Sequence, residues 1–213
     1  PSKALIKSAR IADQMRHADV YGLDPVQPEF SFKAVMRRIQ AVITAIEPHD
    51  SVERYTGLGV DVVQGHATIV DPWTVEIARG DGGTQRLTTR AIVIAAGAAP
   101  LVPPLPGIED SGYLTSDTLW EAFARLDALP RRMVVLGGGP IGSELSQAFA
   151  RLGAEVGQVE MGPHLLPSED ADVAEIARSA QEAAGVRVLT EHTAVRFERQ
   201  NGQRVLIVIH RGA

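Results

Sequence analysis

The chain has no cysteine in its 213 residues. Neither a disulfide framework nor a thiolate metal site is therefore possible within it. Basic excess is also lacking. The 21 Lys and Arg against 26 Asp and Glu leave a formal charge of −5, which gives nucleic acid no electrostatic footprint to meet. No apolar run is long enough to span a bilayer and no secretory leader is recognisable, so no membrane partner is expected and the cytoplasm is the expected location. The six histidines His17, His49, His66, His164, His192 and His210 show no metal-ligand spacing. A Gly-x-Ser-x-Gly elbow is missing, which leaves serine hydrolysis without support. There is no internal repeat of fixed period and no low-complexity tract. The chain opens Pro1-Ser2-Lys3 without a methionine, as a processed chain or a fragment would, and the remaining reading favours a fragment. What is present is 45% hydrophobic and 22% charged, an ordinary globular composition for one large domain or two small ones.

The most informative stretch is Met133-Val134-Val135-Leu136-Gly137-Gly138-Gly139-Pro140-Ile141-Gly142-Ser143-Glu144. Four apolar residues predict a buried strand, Gly-x-Gly-x-x-Gly follows, and an amphipathic helix begins. A dinucleotide needs that order. Gly137 permits the tight turn, Gly139 lets a phosphate reach the backbone, and Gly142 lets helix pack on strand. The pyrophosphate then meets the positive end of the helix, where Pro140 and Ile141 begin the first turn. Ile141, Leu145, Phe149 and Leu152 share one helix face, and Gly153 ends it. A second strand, Glu155 to Val159, delivers Glu160 at the distance where an acid accepts ribose hydroxyls. The same acid would repel the extra phosphate of NADP, so NADH is the expected nucleotide.

Periodicity predicts a helix from Ser2 to about His17, apolar on most sides and hence buried, with Ala4, Leu5, Ala9, Ala12 and Met15 recurring. Tyr21 to Pro28 reads as a loop. A second helix from about Ser31 to Ile46 has Ser31 as cap and Val35, Ile39, Val42, Ile43 and Ile46 as its stripe, with Pro48 at its end. Val60 to Gln64, Ala67 to Val70, Thr74 to Ala78 and Gln85 to Thr88 predict a small antiparallel meander. Ala91 to Ala95 is continuously apolar, as in a strand buried on both faces of a parallel sheet. Pro103, Pro104 and Pro106 mark an extended crossover. Ser116 is placed to cap a helix carrying Leu119, Trp120, Phe123 and Leu126, which Pro130 stops. A helix from about Glu169 to Ala184 is expected to turn Val173, Ile176, Ala177, Ala180 and Ala184 inward. Its first-turn acids read as dipole compensation. Val186 to Leu189 is a strand, and Asn201-Gly202 joins Val195–Phe197 to Val205–Ile209 as a hairpin. A Rossmann-type domain normally has more sheet, so the C-terminus is expected to be cut.

Three segments together resemble the flavoprotein pyridine nucleotide-disulfide oxidoreductases. Pro1-Ser2-Lys3-Ala4-Leu5 is similar to the run that follows the family's redox cysteine pair. Ala95-Ala96-Gly97 is similar to its Ala-Thr-Gly element, and Gly137 to Glu144 to its second nucleotide fingerprint. Gly57-Leu58-Gly59-Val60 to Trp73, Tyr113 to Thr118 and Gln158-Val159-Glu160-Met161 are most similar to mercuric-reductase-type members, with dihydrolipoamide dehydrogenase next.

The resemblance implies an α/β fold with two Rossmann-like nucleotide-binding domains. Residues 1–119 would be part of an FAD-binding domain with a β-meander, and 120–213 an NAD(P)H-binding domain truncated at its end. It implies FAD and NAD(P)H as cofactors, hydride passage from nicotinamide through flavin to a disulfide or Hg(II) acceptor, and a homodimeric full-length protein. The cysteine pair would precede Pro1 and a catalytic His-Glu pair would follow Ala213. Lys3 matches a lysine beside the flavin and Glu144 its counter-ion on the nucleotide-binding helix. Read alone, both are solvated helix residues. Gly65, His66 and Ala67 match a segment whose backbone meets the adenine of FAD. Ala96 and Gly97 match the flavin-facing strand end, with Ala96 in place of the usual threonine. Ser116 matches a position near the flavin, and Val195 one that packs on the nicotinamide nucleotide's adenine. Two other classes remain open: a non-catalytic NAD-binding module, and a flavin dehydrogenase without redox cysteines.

Overall fold

The structure, a computed structural model, describes residues 1–211. Gly212 and Ala213, the end of the expected nucleotide domain, lie outside the described residues. The chain forms two compact units, Pro1–Ile43 with Pro100–Ala213, and Thr44–Ala99.

The larger unit is built on helices. Helix α1 spans Ser2–Arg16 and α2 spans Phe32–Ile46, with the Ser31 hydroxyl accepting the Ala34 N–H at 3.3 Å as a cap. A single turn, α4 (Ile108–Ser111), and the short α5 (Leu119–Ala124) follow the proline-rich crossover. Strand β4 (Arg132–Leu136) leads into α6 (Pro140–Arg151), and β5 (Glu155–Val159) leads through α7 (Ala171–Ala183) to β6 (Arg187–Leu189). These strands form a parallel sheet in the order β4-β5-β6. An antiparallel hairpin, β7 (His192–Gln200) with β8 (Gln203–His210), ends the unit. Its turn residues, Asn201 at φ 51° and Gly202 at φ 77°, adopt the paired left-handed conformations of a tight hairpin.

Leu5, Ala9, Phe32, Met36, Ile39, Leu119, Phe123, Leu145, Phe149, Val156 and Val186 share one buried cluster. Its centre is a chain of edge-to-face rings. Phe123 lies 5.9 Å from Phe32 and 5.4 Å from Phe149, which ties α2, α5 and α6 together. Helices α1 and α6 join at their C-terminal ends. Arg151 Nε lies 3.2 Å from an Asp13 carboxylate oxygen, and the Arg16 guanidinium donates to the Arg151 carbonyl at 2.6 Å.

The smaller unit holds α3 (Val52–Gly57), capped by the Ser51 hydroxyl, and the sheet β1 (His66–Asp71), β2 (Thr74–Ala78), β3 (Thr84–Thr88). It is the expected antiparallel meander. The Asp71 carboxylate accepts the Trp73 N–H at 2.8 Å and closes the first turn.

Several expectations are corrected. Ala91 to Ala95 forms no strand, and Val93 and Ile94 are 89% and 76% exposed. A strand exists only through hydrogen bonds to a neighbour, and this run has none among the described residues. Val60 to Gln64 is likewise without strand structure. Strand β4 is not buried on both faces. It lies at the edge of its sheet, and Val134 and Leu136 face outward. Helix α1 is buried along one face only, leaving Ile11 and Met15 exposed. On α7 the inward residues are Ala174 and Gln181, while Val173, Ile176 and Ala180 face outward. The reason is polar: the Gln181 amide donates to the Ser143 carbonyl of α6 at 2.7 Å, which fixes the helix rotation. The Thr115 hydroxyl, not Ser116, accepts the Asp117 and Thr118 N–H groups before α5.

Candidate functional site

The glycine loop between β4 and α6 is the best-built site in the molecule. The Gly137 N–H continues the parallel ladder by donating to the Val159 carbonyl at 2.8 Å. Gly137 itself takes φ +111°, a conformation costly for any side chain, and so turns the chain out of the strand. Gly142 is required for a different reason. A Cβ there would lie 2.4 Å from the Gly137 carbonyl oxygen. Gly139 has open space around its missing Cβ, so a ligand phosphate can approach its backbone. In the first turn of α6 the N–H groups of Ile141 and Gly142 have no intrahelical acceptor. Ile141 is 58% exposed at the loop, whereas Leu145, Phe149 and Leu152 of the same face are buried. The loop thus offers free donors and a positive helix end to an anion, as the pyrophosphate of a dinucleotide requires.

Glu160 follows β5 and is half-buried against the loop. Its two carboxylate oxygens accept the Gly138 N–H at 2.7 Å and the Gly162 N–H at 2.6 Å. Each oxygen keeps a second lone pair. The acid is therefore locked in place and still able to accept hydroxyl protons.

Sequence reasoning did not single out the side chains that hold the loop. Gln158 is fully buried in β5, and its amide donates to the Gly137 carbonyl and to the Ser143 hydroxyl, both at 3.1 Å. Leu166, at φ 52°, donates its N–H to the Gly138 carbonyl at 2.8 Å. An amide side chain set between Gly157 and Val159 in β5 was the available signal for Gln158.

The other site residues are distributed as follows. Lys3 and Glu144 are both exposed and form no ion pair with each other among the described residues. They lie toward the N-terminal ends of α1 and α6, the two helices joined at their C-terminal ends. Val195 falls at a bulge in β7: Ala194 and Arg196 have partners in β8 and Val195 has none. Ser116 is half-buried. In the smaller unit, Gly65 packs its backbone on β2, where a Cβ would meet the Ala78 carbonyl oxygen at 2.5 Å. Gly65 borders an open groove of about 610 Å³ lined also by Val63, Gln64, Arg79 and Gln85. His66 and Ala67 are exposed on β1, and Ala96 and Gly97 lie in exposed chain without helix or strand, with Gly97 at φ 69°. No cluster of three metal-ligating side chains occurs among the described residues. No described helix is long and apolar enough to cross a membrane.

A parallel sheet, a glycine turn into a helix and an acid at the end of the next strand define a Rossmann-type dinucleotide-binding protein. Residues 1–212 match the family described as pyridine nucleotide-disulphide oxidoreductase, and the chain belongs to it. The family is FAD- and NAD(P)H-dependent. A dihydrolipoyl dehydrogenase of Rhizobium etli is 31% identical over 95% of this chain and 44% of its own length. A mercuric reductase of Streptomyces lividans is 31% identical over 98% of this chain and 43% of its own. Among solved structures, LpdA from Mycobacterium tuberculosis superposes with a TM-score of 0.75 at 26% identity, over 98% of this chain and 45% of that one. RclA, a HOCl-induced flavoprotein disulfide reductase from Escherichia coli, shares the fold with a TM-score of 0.69 at 23% identity, over 100% of this chain and 43% of that one. The chain spans about two fifths of the length of the relatives it matches.

Proposed function

We propose that this chain carries the nicotinamide-nucleotide site, and part of the FAD site, of an enzyme that passes hydride from NADH through FAD to a disulfide or Hg(II) acceptor. The reading is mercuric-reductase-like, with dihydrolipoamide dehydrogenase as the second form. The observation that carries it is the glycine loop whose Gly138 N–H is held by Glu160. Gly139, Pro140, Ile141 and Gly142 would hold the pyrophosphate, Glu160 the adenine ribose, and Val195 the adenine. The β7 bulge supports the last assignment, because it frees Val195 from cross-strand pairing. Gly65, His66 and Ala67 would meet the adenine of FAD beside the groove, and Ala96, Gly97 and Ser116 would approach its flavin end. This assigns residues 1–119 to the FAD part and 120–213 to the NAD(P)H part.

Lys3 would stabilise negative charge on the flavin, with Glu144 as its counter-ion. The packing of α1 along α6 supports this pairing, since it sets both residues at one end of the helix pair. Homodimerisation belongs to the whole protein in this reading. The 213 residues alone should show no steady-state NADH-driven reduction of a disulfide or Hg(II), and turnover by them would refute the assignment of the missing parts.

Nucleotide choice tests the carrying observation. Replacing Glu160 with alanine removes the hydroxyl acceptor and the charge that repels a 2′-phosphate. NADH binding, followed by its fluorescence, should weaken by roughly tenfold, about 1.4 kcal/mol, and the preference for NADH over NADPH should shrink. An unchanged preference means Glu160 does not read the ribose.

A further inference from the structure

The hairpin brings two histidines together that the nucleotide site does not use. His192, the first residue of β7, and His210, the last of β8, are register partners. Their ring centres stand 4.9 Å apart with the planes at 58°. Nδ1 of His192 lies 2.6 Å from the Thr190 carbonyl oxygen. A carbonyl only accepts, so this nitrogen carries the proton, and in the neutral ring Nε2 keeps its lone pair. A ring N–H held by a backbone carbonyl is how metal-binding histidines are oriented and their free nitrogen made more basic. The ring spacing also fits a shared cation. With Zn–N near 2.0–2.1 Å each ring centre stands about 3.2 Å from the metal, so two ligand rings spread by about 90–110° are about 4.5–5.2 Å apart.

We propose that His192 and His210 form a cross-strand chelate for a divalent cation of the zinc, nickel or copper(II) class. Imidazole nitrogen suits these ions, whereas magnesium and calcium want oxygen. No third His, Cys, Asp or Glu completes the group among the described residues. Water fills the remaining positions, and the ion exchanges with solvent. The chelate joins the two strands at the open end of the hairpin, away from the Asn201-Gly202 turn. That end is also tied to the glycine loop's acid, because the His192 N–H donates to the Glu160 carbonyl at 3.0 Å.

The test uses the 213-residue chain without a polyhistidine tag. Calorimetric titration with ZnCl₂ and NiCl₂ should show an ion bound that MgCl₂ does not replace. His192→Ala and His210→Ala should each weaken it by tenfold or more, because one imidazole loses the effective concentration that the second supplies. His210 is exposed at a strand end, so its variant keeps the fold, which circular dichroism checks. With copper(II), the electron paramagnetic resonance spectrum should report two coupled ring nitrogens in the parent and one in either variant. If the parent binds none of the three ions, or if both folded variants bind them as tightly as the parent, the proposal is wrong.

Discussion

At the scale of single residues, the glycine loop's geometry rests on atoms that are absent as much as on those present. A methyl group at Gly142 would occupy the space of the Gly137 carbonyl oxygen, so Gly142→Ala must push the helix from the strand. Overpacking of this kind costs about 1–3 kcal/mol. The expected outcome is a folded protein whose NADH affinity falls tenfold or more, measured by fluorescence titration. The turn at Gly137, the close packing at Gly142 and the place of Glu160 after β5 were legible because they follow from chain geometry within some twenty-five residues. Gln158 was not singled out. Its role depends on which face of β5 turns toward Ser143, and the sequence alone does not order those two side chains in space.

At the scale of elements, local signals read well and non-local ones poorly. Helices α1, α2 and α6, the meander and the Asn201-Gly202 hairpin follow from periodicity, caps and turn chemistry. The face of α7 was misread because one glutamine hydrogen bond outweighed an apolar stripe. Ala91 to Ala95 was misread because apolar composition asks for burial but cannot supply a neighbouring strand. The β1–β2 turn gives a prediction at this scale. The Trp73 N–H, and after it the Thr74 hydroxyl, hold the Asp71 carboxyl below the ordinary carboxylate value. Its folded pKa is thus lower than its unfolded one. The turn's stabilisation is complete above about pH 4 and is lost as pH falls through the folded value. The protection of the Trp73 N–H against exchange, relative to the free-peptide rate at each pH, should fall in that acid range, and Asp71→Asn should abolish the pH dependence.

At the scale of the whole molecule, the larger unit stands on a core shared by α1, α2, α5 and α6. Phe149 is its most enclosed large ring, in edge contact with Phe123. Phe149→Ala should cost about 3–5 kcal/mol of unfolding free energy in urea titration, enough to unfold a marginal domain. Composition announced that a core exists, and the amphipathic stripes named most of its members. Which stripe meets which was not readable, because the meeting residues lie far apart along the chain.

That separation has a consequence during synthesis. Helices α1 and α2 are made well before α6, which shares their buried cluster and ends only at Arg151. At about 5–20 residues per second, roughly a hundred intervening residues take about 5–20 seconds to appear. For that interval both helices lack the α6 side of their shared core, while the whole Thr44–Ala99 unit is made between them and α6. The order of translation therefore leaves part of their apolar faces uncovered until α6 has been made.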